Sequence, residues 1–157
     1  MTSTDAQEQV AIRLSGATKA FPTRDGSYTA IHDVDLTVRR GEFVSVVGPT
    51  GCGKSTTLSL VSGLEPATAG LVEVDGRPVV GIPEGLGYMF QSDAVLPWRS
   101  VLDNVAAGPR YRGTAKRDAQ EQAREWVNKV GLGGFEDYHP HQLSGGMRKR
   151  VALAQTL

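Results

Sequence analysis

"GPTGCGKST", residues 48–56, is the stretch on which the reading of the chain turns. It fits the pattern G-x-x-x-x-G-K-[ST], and the spacing has a physical reason. Gly48, Gly51 and Gly53 let the backbone fold tightly, with N–H groups turned inward on an anion. Lys54 supplies a point charge for β- and γ-phosphates. The Ser55 hydroxyl suits Mg²⁺, an ion that takes few protein ligands and keeps its waters. A helix starting at Lys54 adds its positive dipole end. Pro49, Thr50, Cys52 and Thr56 complete the expected phosphate-binding stretch. Cys52 reads either as a reactive thiol at a helix N-terminus or as a small filler whose N–H matters, and the second reading is favoured.

The flanks supply the context such a loop requires. "EFVSVV" (Glu42–Val47) reads as a buried strand leading in, and "KSTTLSLVSGL" as a helix ending near Gly63. Further back, "VAIRL" (Val10–Leu14) and "AIHDVDLTV" (Ala30–Val38) alternate at period two, and the Asp25-Gly26 pair between them signals a hairpin turn. Residues 1–9 are polar and expected to be disordered. Further on, "LVEVDGRPVV" is a strand with an Asp75-Gly76 turn, and "GYMF" (Gly87–Phe90) a short apolar strand. From Ser100 the pattern turns helical. "SVLD" opens a short helix with a capping box. Residues 114–131 follow with Ala119, Ala123, Trp126, Val127 and Val130 on one face, Thr114 placed to cap the start and Gly131 just past the end. A last helix starts near Ser144. The layout is α/β with a helical subdomain.

Composition narrows the function classes. Lys plus Arg number 17 and Asp plus Glu 17, so net charge is zero, which argues against a whole-chain grip on nucleic acid. One cysteine excludes an internal disulfide framework. The longest apolar runs are a few residues, far short of the ~20 needed to span a membrane. Two histidines, His139 and His141, flank Pro140, but with no Cys and no third His nearby, loop polarity is the default over a metal site.

Many proteins share the phosphate loop. A second motif separates them: "LSGG" at Leu143–Gly146, 95 residues after Gly48. Together and in this order the two resemble the ATP-binding-cassette (ABC) ATPases. Gln91, before "SDAVLPW", resembles the family's Q-loop glutamine, which contacts Mg²⁺ and the attacking water. Phe21, in "ATKAFP", resembles the aromatic that stacks on adenine; its other reading is a half-buried strand residue, and Tyr28 is the alternative for the stacking role. "YMFQSDAVLPWRSVLDNV" and "YHPHQLSGGMRKRVALAQ" are similar to importer ATPases of the nitrate, sulfonate and taurine group. The resemblance runs from about Val10 to Leu157. It implies the N-terminal portion of a P-loop NTPase core of ABC type, with a β subdomain and phosphate-loop part over residues 10–95, a helical subdomain over 96–143 and a signature helix over 144–157.

The resemblance also implies partners. Two cassettes pair head to tail, so that Ser144 and the N–H groups of Gly145 and Gly146 face the ATP of the second chain. Leu96, Pro97 and Trp98 lie where the family docks a transmembrane permease, which would hold the protein on the cytoplasmic face of the membrane; Trp98 could equally cover the local core. Arg148, Lys149 and Arg150 read as a solvated helix face rather than a nucleic-acid patch. Hydrolysis in this family needs four apolar residues followed by Asp-Glu, and then a switch histidine. After Ser144 this chain has no Asp, Glu or His, so no catalytic base is nominated and the central sheet is expected to be incomplete. Two readings follow: an importer ATPase represented by its N-terminal part, or a short nucleotide-binding module that docks on a full cassette without hydrolysing ATP. The apolar residues of "VALAQTL" ask for a partner surface and favour the first.

Overall fold

In the computed structural model, residues 9–91 and 94–157 are described. The expected disordered N-terminus lies, Gln9 apart, outside them. The chain divides into two units, one up to Leu86 and one from Gly87.

The first unit is built on two 14-residue strands, β1 (Val10–Thr23) and β2 (Gly26–Arg39), paired antiparallel around a two-residue turn at Arg24-Asp25. Both run well beyond the alternating segments legible in the sequence. The reason is a set of register shifts in β1 between Leu14 and Ala20. Gly16, at φ 58, bends the strand there, and a Cβ on Gly70 opposite would run into the Gly16 carbonyl. Each bulge re-aims the side chains, so a strict period of two cannot persist. β3 (Ala69–Val74) pairs with the other edge of β1, and a turn with positive φ at both Asp75 and Gly76 leads to β4 (Arg77–Pro78). That is the backbone a tight two-residue hairpin requires. The sheet order is β2-β1-β3-β4. Helix α1 (Lys54–Val61) lies on it, and Leu60 and Val61 close a core with Leu14, Ala17, Ile31 and Val72.

Two expected strands do not form. Residues 42–47 join no strand ladder among the described residues, and Phe43 and Val47 are 93% and 86% exposed. Residues 87–90 likewise join no ladder, with Met89 and Phe90 about half exposed. A strand exists only when its N–H and C=O groups find a neighbour, and a period-two or apolar pattern states the preference without supplying the partner. The described sheet is therefore wholly antiparallel, and the central sheet expected behind the phosphate loop is not assembled.

The second unit is helical. Ser100 caps α2 (Val101–Val105), its hydroxyl accepting from Asp103 N–H at 3.3 Å. α3 (Ala107–Tyr111) follows directly. α4 (Lys116–Lys129) buries Ala119, Ala123 and Val127 at a spacing of four, with Trp126 and Val130 packed beside them. Its N-cap is Ala115 and not Thr114, because the helix begins one residue later than the sequence suggests. Gly131, at φ 69, ends it as expected. A single 3₁₀ turn (Pro140–Gln142) precedes α5 (Gly145–Thr156). Val151, Ala152 and Ala154 of α5 are buried against Val101, Leu102 and Val105, while Leu153 and Leu157 stay exposed. Most of the apolar tail that seemed to ask for a partner is thus satisfied within its own unit.

Candidate functional site

The site begins with how the loop is anchored. Gly53 stands at φ 93, and a Cβ there would meet the Ala30 carbonyl at 2.8 Å and collide with Ile31 Cγ2. Glycine is needed both for the left-handed backbone and for the close seat of α1 on β2. The first helical N–H to find a carbonyl is that of Thr57, on Gly53 O at 2.8 Å. Those of Lys54, Ser55 and Thr56 are left without an acceptor inside the helix, as at any helix start. The Lys54 ammonium turns back on its own loop, donating to Gly48 O at 2.9 Å and Pro49 O at 2.6 Å, and lies 3.6 Å from Cys52 Sγ. Pro49 O also takes the Cys52 N–H, so the loop closes on itself. Thr50 and Cys52 are exposed.

Phe21 and Tyr28 are opposed across β1 and β2 and therefore share a face. Both line a cleft of about 230 Å³ together with Ala30, Gly51, Gly53, Lys54, Ser55 and Thr56. Thus the two candidate stacking rings, the lysine, the hydroxyl and the open helix N-terminus are brought together by one unit. Phe21 is a half-buried strand residue, and it lines the same cleft as the loop.

The remaining site residues lie in the second unit. Gln91 is exposed. Ser144 caps α5, its hydroxyl accepting from Met147 N–H at 3.3 Å, and Gly145 and Gly146 are exposed at the helix start. The basic run after them has local work. Arg148 donates to Leu143 O at 2.8 Å, and Arg150 to the Val130 and Gly131 carbonyls at the end of α4. Cations at a helix C-terminus are favourably placed, as Arg150 is at the end of α4. His139 and His141 sit 5.8 Å apart, and among the described residues no three metal-binding side chains cluster. Trp98 is 72% exposed and so does not cover the core.

One residue escaped the sequence reading. Asn104, in α2, is completely buried. Its amide oxygen accepts Leu96 N–H at 2.7 Å, and its amide nitrogen donates to the Leu96, Arg99 and Ser100 carbonyls at 2.9–3.1 Å. It thereby shapes the loop that carries Pro97 and Trp98. The signal was present as a lone amide among the buried Val101, Leu102 and Val105.

The family model described as ABC transporter matches residues 31–157, and the chain belongs to that family. It is 44% identical over 137 residues, 87% of its length, to the taurine import ATP-binding protein TauB of Burkholderia pseudomallei (strain 1710b). It is 50% identical over 129 residues, 82% of its length, to the aliphatic sulfonates import ATP-binding protein SsuB 1 of Rhodococcus jostii. It spans 53% and 49% of those two chains, about half their length. A solved dimeric structure of the ATP-binding cassette MJ0796, bound to ADP and Pi, superposes with a TM-score of 0.84 at 29% identity, over 93% of this chain and 68% of that one. The fold is that of an ABC ATPase over the part the chain covers. No helix among the described residues is long and apolar enough to cross a membrane.

Proposed function

We propose that the chain is the nucleotide-binding portion of an importer's ATP-binding subunit, one that couples ATP binding and hydrolysis in the whole assembly to uptake of a sulfonate-, taurine- or nitrate-like solute. The observation that carries this is the cleft in which Phe21 and Tyr28 face Lys54, Ser55 and the α1 N-terminus. A planar base lies on the rings and a polyphosphate on the loop. The ring contributes stacking worth roughly 1–3 kcal/mol with any base. The loop contributes N–H groups, a helix dipole and an ammonium. The Ser55 hydroxyl lines the cleft and fits one Mg²⁺ position, the rest being water and phosphate oxygens. Mg²⁺ there would neutralise phosphate charge. Gln91 is assigned to the same ion in the assembled subunit.

Ser144, Gly145 and Gly146 serve the nucleotide of a second cassette, head to tail, through exposed N–H groups at the start of α5. Leu96, Pro97 and Trp98 serve a transmembrane permease, which places the subunit at the cytoplasmic face of the membrane. An exposed tryptophan on a loop held by a buried amide suits an interface. No group in the chain is assigned as the base that activates water.

The test is a titration of the full chain with a fluorescent ATP analogue, with and without Mg²⁺, beside Lys54→Ala. Weak, Mg²⁺-dependent binding that Lys54→Ala abolishes is expected, together with ATP turnover no faster than in that variant. Binding unchanged by Lys54→Ala would overturn the assignment of the loop. Turnover that Lys54→Ala abolishes would show that the chain holds a base we have not assigned.

A further inference from the structure

Lys19 is an unusual lysine. It lies in β1 two residues before Phe21, and the residue is only 7% exposed. Its ammonium donates to Pro66 O at 2.9 Å and pairs with Glu65 at 2.8 Å. It also lies over the Phe21 ring, 4.8 Å from the centroid. The next residue is tied to the same segment: Ala20 N–H donates to Thr68 Oγ1 at 3.0 Å, and that hydroxyl donates to Ala20 O. The β1 register shifts between Lys19 and Ala20, where a bulge aims the following side chains. Glu65, Pro66 and Thr68 follow shortly after the C-terminal end of α1, to which Glu65 N–H is bonded through Ser59 O, and the other end of that helix is the phosphate loop.

A buried ammonium with an ion pair and a carbonyl partner is fixed in place, and a fixed cation over an aromatic face fixes the ring. One face of Phe21 is then occupied and the other is left for a base. The cation also polarises the ring it touches. We infer that Lys19 is a positioning residue for base stacking: held by Glu65 and Pro66 at the far end of α1, it sets the Phe21 ring against the cleft whose phosphate wall is the near end of α1. Base and phosphate subsites are thus spaced by a single helix. The inference rests on the nucleotide reading above.

The test uses the full chain and two readouts. The first needs no nucleotide: the ring current of Phe21 should displace the Lys19 ε-methylene proton resonances upfield, and Phe21→Leu should remove the displacement. Its absence in the unaltered chain overturns the inference. The second compares ATP with inorganic tripolyphosphate. Lys19→Met, which keeps the apolar stem, should weaken ATP about two- to five-fold and leave tripolyphosphate unchanged. Lys19→Arg should restore ATP binding, and in a Phe21→Ala background Lys19→Met should change nothing. Equal weakening of both ligands, or the same ATP loss without Phe21, would make Lys19 a merely structural residue and overturn the inference. If the unaltered chain binds tripolyphosphate but discriminates no base, Phe21 has no stacking role and the inference falls while the loop assignment stands. If it binds neither, the nucleotide reading itself fails, and a surviving ring-current shift marks Lys19 as structural.

Discussion

Replacing Asn104 by alanine should unfold the second unit at markedly lower urea while leaving the first unit intact. The magnitude can be built from partners. Ser100 O also accepts Asn104 N–H in α2, and Leu96 O also accepts Arg99 N–H, so both carbonyls keep a bond when the side chain is removed. Leu96 N–H and Arg99 O have no such second partner in the loop and are the groups left wanting. An orphaned buried polar group costs about 1–3 kcal/mol. With Leu96 only half-buried, water can reach part of the loop, so about 2–4 kcal/mol is expected in total. The assay is favoured by an accident of composition. The chain has two tryptophans, Trp98 and Trp126, and both lie in the second unit. Tryptophan fluorescence therefore reports that unit's transition alone. A lowered midpoint with an unchanged slope is expected. In a Trp126→Phe background, Trp98 should also become more open to acrylamide quenching, since its loop has lost its clamp. A midpoint within the equivalent of about 0.5 kcal/mol of the unaltered chain would refute the reasoning, because it would mean that these hydrogen bonds are replaced by water without loss.

Gly53→Ala should cost about 2–4 kcal/mol in the first unit, the sum of left-handed backbone strain and the clash with Ala30 and Ile31. Hydrogen-exchange mass spectrometry should show it as faster exchange across Lys54–Val61, and tripolyphosphate binding should be lost with it. Acid should weaken both units. The Glu42 carboxylate accepts the Arg39 N–H at 2.7 Å, and Glu136 is held by its own N–H and that of Gly134, so both groups titrate below the ordinary value of 4.5. A depressed carboxylate contributes stability that is present above 4.5 and lost as pH falls through the folded value. The urea midpoint seen by tryptophan fluorescence should fall from about pH 5 downward, and Glu136→Gln should flatten that fall.

The parts of the fold legible in the sequence are those that local chemistry dictates. The Asp75-Gly76 turn, the Ser100 cap, the Ala119, Ala123 and Val127 stripe and the Gly131 stop each rest on a few adjacent residues and a backbone rule. The length of β1 was not legible, since the bulges around Gly16 and Lys19 scramble its period. The fate of Phe43–Val47 was not legible either, since a strand is a property of two segments and the sequence of one cannot supply the other. The site shows the same division. The loop's glycines and Lys54 can be read from spacing. That Phe21 and Tyr28 face them, and that Lys19 lies over Phe21, follows only from the pairing of β1 with β2 and the placing of α1 across them. Asn104 was hidden because a single amide in an apolar helix looks like a weak helix former until its partners are seen.

The loop's two ends are held very differently, and this bears on how strongly the chain can bind. On the α1 side, Gly53 is wedged on Ala30 and Ile31, and Leu60 and Val61 are buried. On the other side, Gly48 follows a six-residue segment that joins no strand ladder among the described residues. Lys54 bridges the two sides, because the carbonyls it holds belong to Gly48 and Pro49. A phosphate that draws the ammonium away therefore removes the contact that ties the entering segment to the helix. Charge-assisted bonds to phosphate are roughly twice as strong as neutral ones, so the exchange is favourable for the lysine itself. It is unfavourable for the segment, which must then be ordered by the ligand alone at roughly 1–2 kcal/mol per residue fixed. Weak binding is expected from this opposition. Whatever pairs with Phe43–Val47 in a complete sheet would remove that cost, so the affinity of the loop is set by strand pairing outside it.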